Sequence, residues 1–118
     1  MLQMKRIYEE ARTDDGKRVL VDRLWPRGVS KEDARLDEWP KEITPSNDLR
    51  KAFHDNELTF DKFSKEYKDE LQSNAEANNK CKEIAEEAND HTVTLLYASK
   101  DEEENHALVL KDFIESIS

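Results

Sequence analysis

The stretch from Arg18 to Gly28, RVLVDRLWPRG, constrains the fold of this chain more than any other. Val19, Val21, Arg23 and Trp25 would point to one face of an extended strand, and Leu20, Asp22 and Leu24 to the other. Apolar residues on both faces at its start predict a central strand covered on both sides. Pro26 has no N–H for a ladder bond and holds Trp25 extended, so the strand is predicted to end there. Gly28 then permits a turn that other residues resist. An aspartate, two arginines and a tryptophan thus fall where a strand opens into a loop, which is where ligands bind in open α/β sheets.

Gln3 to Glu9 reads as a first strand, and Thr13 to Gly16 as a turn. So short a link to the second strand, Lys17 to Trp25, favours a hairpin over a parallel crossover. Ser30 and Asp33 form a capping-box pattern before a short helix, and Ser46 caps another that carries Leu49 and Phe53 one turn apart. Phe60, Phe63, Tyr67 and Leu71 make one apolar helical stripe; Ala77, Cys81, Ile84, Ala85 and Ala88 make the next. Thr92 to Ala98 is a buried strand, and Asp101 with Glu104 reads as the capping box of a last helix bearing Ala107, Leu110, Phe113, Ile114 and Ile117. This order predicts one α/β domain over residues 1–118, a small mixed or parallel sheet of three to four strands packed with helices. A crossover from the second strand to the third would set the Trp25–Gly28 turn beside the Ser99–His106 turn.

Composition narrows the function. The 118 residues carry a net charge of −9, which argues against a generic nucleic-acid binder, since phosphate contacts need a basic surface. Duplex DNA is expected to remain unbound at physiological salt in a mobility-shift titration; a salt-dependent nanomolar complex would contradict this. The single cysteine, Cys81, lies within a helical apolar stripe and reads as core. It allows no internal disulfide, and Met1 to Arg6 holds no apolar signal core, so a cytoplasmic protein without a membrane span is expected. No cofactor is expected. Gly16 and Gly28 are the only glycines, too few for a nucleotide loop. A Cys-x5-Arg phosphatase loop would need arginine where Glu87 stands. His54, His91 and His106 lack metal-ligand spacing, so no metal is expected either.

The Arg18–Gly28 stretch, Leu36-Asp37-Glu38-Trp39, Pro45-Ser46 with Leu49-Arg50 and Phe53-His54, Thr94 to Ala98, Asp101 and Asn105-His106-Ala107 together carry a family likeness over nearly the whole chain. The sequence resembles the YeaO-like family, the bacterial domain of unknown function 488. That resemblance implies a compact cytoplasmic α/β domain and no established reaction.

The candidate site lies between the two turns. Regular alternation would send Asp22 and Arg23 to opposite faces, each in need of its own partner, because an isolated buried charge costs several kcal/mol. Arg18 or Arg50 would serve Asp22, and Asp101 would serve Arg23. The ligand-binding candidates are Arg23, Trp25, Arg27, Asp101 and Asn105: the arginines for an anionic group, Trp25 as a wall on Arg23's face. Asp22 and His106 are the candidate proton carriers. Three readings stay open. The lead is a domain that binds a small anionic or polar ligand, with hydrolase- or lyase-like activity as its catalytic version. The second is a non-catalytic protein-interaction or regulatory module using Trp25, Trp39 and the acidic helices. The third treats the charges as a structural network tying loops to the sheet.

Overall fold

A computed structural model describes residues 1–118. Strands β1 (Leu2–Arg6), β2 (Lys17–Leu20) and β3 (Val93–Tyr97) form one parallel sheet in the order β1-β3-β2. Leu2 pairs with Val93 and Arg6 with Tyr97 on one side of β3; Lys17 pairs with Val93 and Leu20 with Leu96 on the other. The central place goes to β3, all five of whose residues are buried, and not to β2. The outer edge of β2 is instead closed by an irregular stretch: Asp37 and Glu38 donate N–H groups to the Arg18 carbonyl, and Leu20 donates to Glu38. That cover satisfies the edge of β2, while its two apolar faces are buried by the main core around Val19 and Val21 and by Ile7 and Ala34 around Leu20.

The expected hairpin between the first two strands does not form. Residues 7–16 double back beneath the sheet, so that β1 and β2 run the same way with β3 between them. Ten residues can reach about 33 Å, roughly twice the length of a five-residue strand, which suffices for a return without a helix. A single 3-10 turn, Thr13–Asp15, is all the regular structure the return contains.

One face of the sheet carries the main core. Val19, Val21, Val93, Leu95 and Tyr97 point to it, and four helices cover it: α2 (Asn47–His54), α3 (Phe60–Ser73), α4 (Ala75–Asp90) and α5 (His106–Ser116). The stripes expected on α3, α4 and α5 face it, mostly buried, with Phe60, Ala88 and Ile117 only partly covered at their ends. Tyr67 is wholly buried and donates its hydroxyl to the Ile43 carbonyl, so a polar atom enters the core satisfied. The opposite face has a thinner cover. Ile7, Leu20 and Leu96 meet Ala34 of α1 (Lys31–Ala34), with Trp25, Val29, Leu36 and Trp39 around them. Ser30 caps α1, Ser46 caps α2 and Asn74 caps α4, each accepting a backbone N–H three residues on. No helix is long and apolar enough to cross a membrane.

Cys81 is fully buried on α4. Burial pushes its thiol up to about 12, so almost no thiolate exists at neutral pH. Iodoacetamide at pH 8 is expected to leave Cys81 unmodified in the folded protein and to alkylate it in denaturant; rapid native labelling would contradict its placement.

Candidate functional site

The site forms because β2 stops early. Val21 still donates its N–H to the Leu96 carbonyl, but the chain then leaves the sheet, five residues before Pro26 rather than at it. With the pleat gone, Asp22 and Arg23 no longer alternate, and both line one cavity of about 80 Å3 at the carboxyl end of the sheet. Trp25 is carried to the thin-cover face, beside Leu20. The expectation that Asp22 and Arg23 face opposite ways, with Trp25 on Arg23's side, does not hold for this reason.

Asp22 is held from three directions. Its Oδ2 accepts the Ala98 N–H at 3.0 Å, and its carbonyl accepts the Trp39 indole N–H at 2.7 Å. Its Oδ1 lies 2.7 Å from His106 Nε2, and neither atom has another polar partner. The Trp25–Gly28 turn is not what meets the Ser99–His106 turn; Asp22, two residues past β2, meets His106 instead. His106 arrives as the first residue of α5 because Asn105 caps that helix: its side chain accepts from Leu108 N–H and donates to the Asp101 carbonyl. Asn105, and not Asp101, is thus the helix cap. Asp101 instead accepts the Glu104 and Glu103 N–H groups in the turn before it, and those bonds hold its carboxyl below the usual range. The first turn of α5 contains no acidic residue of its own, so the Asp22 carboxylate complements its amino end.

The arginines come from two elements. Arg23 donates Nε–H to the Pro45 carbonyl at 3.0 Å, which fixes its guanidinium beside the start of α2. Arg50 stands one turn into α2, three residues before Phe53, so both project from one helix face. Glu70 of α3 pins that end of α2, accepting the Ser46 N–H at 3.0 Å and the Ser46 hydroxyl at 2.6 Å. Neither arginine forms an ion pair, and Arg50 Nε is buried without a hydrogen-bond partner. Pro45, Phe53 and Phe63 form the apolar wall, the two rings stacked at 4.3 Å.

Other expected members lie elsewhere. Arg18 serves Asp15 and the Ala34 carbonyl, at the opposite end of β2 from Asp22. Arg27 is exposed, and only its carbonyl is engaged, by the Tyr8 hydroxyl. Trp25 packs edge-on against Trp39 at 5.4 Å and donates to the Val29 carbonyl. Arg27, Trp25, Asp101 and Asn105 do not line the cavity, whereas Asp22, Arg23 and His106 do. Pro45, Phe53 and Phe63 were not among the candidates, and Arg50 entered only as an ion-pair partner. The spacing of Arg50 and Phe53 was the available signal.

Larger hollows exist. One of about 430 Å3 runs between Tyr8 and Arg35, and one of about 500 Å3 lies between α2 and α3. Their walls carry Glu9, Glu10 and Asp33, or Asp48, Glu66 and Asp69, and neither gathers unpaired cations as the smaller cavity does. No group of three or more His, Cys, Asp or Glu side chains is placed to hold a metal ion.

A family model described as the inactive DUF488-N3 subclade matches residues 1–117. The chain is 48% identical over 116 residues to the uncharacterized protein YeaO of Escherichia coli (strain K12), covering 98% of each chain. It is 35% identical over 113 residues to the uncharacterized protein Rv3073c of Mycobacterium tuberculosis (strain ATCC 25618 / H37Rv), covering 96% of this chain and 92% of that one. No solved structure matches it.

Proposed function

Because the chain belongs to the YeaO-like DUF488 family, within its inactive N3 subclade, we propose that it binds a small anionic ligand without turning it over. The observation that carries this is the convergence of two arginines lacking carboxylate partners on one cavity, one of them with a buried orphan Nε. A buried donor left unsatisfied costs about 1–3 kcal/mol, and an anion would remove that cost. Structural arginines are normally paired, as Arg18 is with Asp15. The Asp22–His106 contact then forms part of the cavity wall.

That same contact supports a second reading, hydrolase- or lyase-like proton transfer by His106 against Asp22. The subclade's description as inactive weighs against it. Use of Trp25 and Trp39 as a docking face has less support, since both indole N–H groups are engaged within the chain.

The test is a thermal-shift series with phosphate, sulfate and simple carboxylates on wild type, Arg50→Ala, Arg23→Ala and Arg27→Ala. A ligand at 100 times its Kd adds about 2.7 kcal/mol, a shift of several degrees. At least one anion is expected to stabilise the wild type and Arg27→Ala, and to lose that effect in Arg50→Ala. If no anion stabilises the wild type, the proposal fails.

A further inference from the structure

We infer that the ligand of this cavity is a small monocarboxylate carrying a short apolar substituent. The inference rests on the anion-binding reading above and names the class of anion. Charge balance is the first argument. Arg23 and Arg50 bring two positive charges to the wall and Asp22 brings one negative, a net of +1 from these three side chains. A monoanion neutralises that wall. A phosphate dianion would leave the site negative and set its extra charge against Asp22, whose Oδ1 is already turned inward to His106.

Shape is the second argument. A guanidinium presents its N–H groups as a planar fork that matches the two oxygens of a carboxylate. Arg50 offers such a fork with no protein acceptor in competition, while Arg23 is anchored at its Nε by Pro45.

The third argument is the apolar part of the lining. Phe53 and Phe63 stack there, and Phe63 is almost completely buried. A tetrahedral oxyanion is polar on every side and would bury oxygen against those rings without a donor. A carboxylate has one polar end and one apolar end, and the lining offers both arginines and an apolar surface of Pro45, Phe53 and Phe63. Its volume of about 80 Å3 admits a substituent of a few carbons only.

The experiment is a 1H–15N NMR titration of acetate, butyrate and inorganic phosphate into wild type, Arg50→Ala, Arg50→Lys, Phe53→Ala and Phe53→Leu, each first shown to be folded by its dispersed spectrum. Butyrate is expected to bind more tightly than acetate, by about fourfold for each methylene buried. Arg50→Ala should weaken both at least tenfold, and Arg50→Lys should recover part of that loss. Phe53→Ala should erase the difference between butyrate and acetate while acetate still binds, with Phe53→Leu retaining more of it. Should phosphate shift the His106 and Arg50 signals while both carboxylates leave them unmoved, the monocarboxylate assignment is wrong and the anion-pocket reading survives. Equal affinity for acetate and butyrate would also overturn the assignment. Silence from all three anions would overturn both.

Discussion

Gly16→Ala is expected to cost more than about 4 kcal/mol of folding stability. Gly16 has φ 63° and ψ −131°, a conformation open almost only to glycine. A Cβ there would lie 2.1 Å from the Thr92 carbonyl oxygen, which also accepts the Lys17 N–H at 2.9 Å. The methyl group would therefore wedge apart the point where β2 joins β3. Backbone strain alone costs about 1–3 kcal/mol. The clash is with main chain, which cannot rotate away, so the total should exceed about 4 kcal/mol, against an overall stability of about 5–15 kcal/mol for a domain. Gly28→Ala is the control. Gly28 also has positive φ, 80°, but nothing lies within 4 Å of its would-be Cβ. It should cost only about 1 kcal/mol. Urea denaturation of both variants decides; similar midpoints would mean that the return through residues 7–16 does not pack against Thr92 as described.

The crossover itself was hard to read from sequence. Thr13-Asp14-Asp15-Gly16 announces a turn, but turn residues do not say whether the next strand pairs with the last or passes beyond it. That choice was made by β3, eighty residues away, which takes the central place and pairs with β1 on one side and β2 on the other. The helices were legible because their stripes and caps are local: Ser30 and Ser46 cap helices where the pattern places a start. Asn105 took the cap expected of Asp101 because Asp101 and Asn105 both offer an N-cap side chain and the helix begins at the later one. The site was half legible. Asp22, Arg23 and His106 were marked by charge at strand ends, and they do come together. Their arrangement was not legible, since alternation applies only while the strand stays regular and β2 lets go at Leu20. Arg50 and Phe53 lay in an ordinary amphipathic helix, where their spacing puts them on one face but does not say whether that face meets a cavity or the core.

The two ends of β2 hold their charges in opposite ways. At its amino end every charge is matched. Asp15, almost wholly buried, lies 3.1 Å from Lys5 Nζ and 2.5 Å from Arg18 Nη1 and accepts the Arg12 N–H at 2.9 Å. Lys17, Glu38, Lys80 and Glu87 form a second network beside it. At the carboxyl end the two arginines remain unpaired. One end carries matched charges and the other the proposed ligand site, and this separation can be tested from the amino end. Asp15→Ala is expected to cost about 3–5 kcal/mol, because it strands the buried Arg18 guanidinium and the Lys5 ammonium. The loss should depend on pH. Burial by itself would raise the Asp15 carboxyl; the Arg12 N–H, Lys5 and Arg18 outweigh it and hold the group below its ordinary 3.8. A carboxyl depressed on folding adds stability that is fully present above the unfolded value and disappears as pH falls through the folded one. Wild type should therefore lose this contribution below about pH 3.8, and the gap between wild type and Asp15→Asn should be constant from pH 7 to 5 and close in acid. Anion affinity, measured where both proteins are folded, should be unchanged by Asp15→Asn, while Arg50→Ala should abolish binding with little change in melting temperature. A loss of anion binding in folded Asp15→Asn would show that the two ends of the strand are coupled and that the cavity is not an independent site.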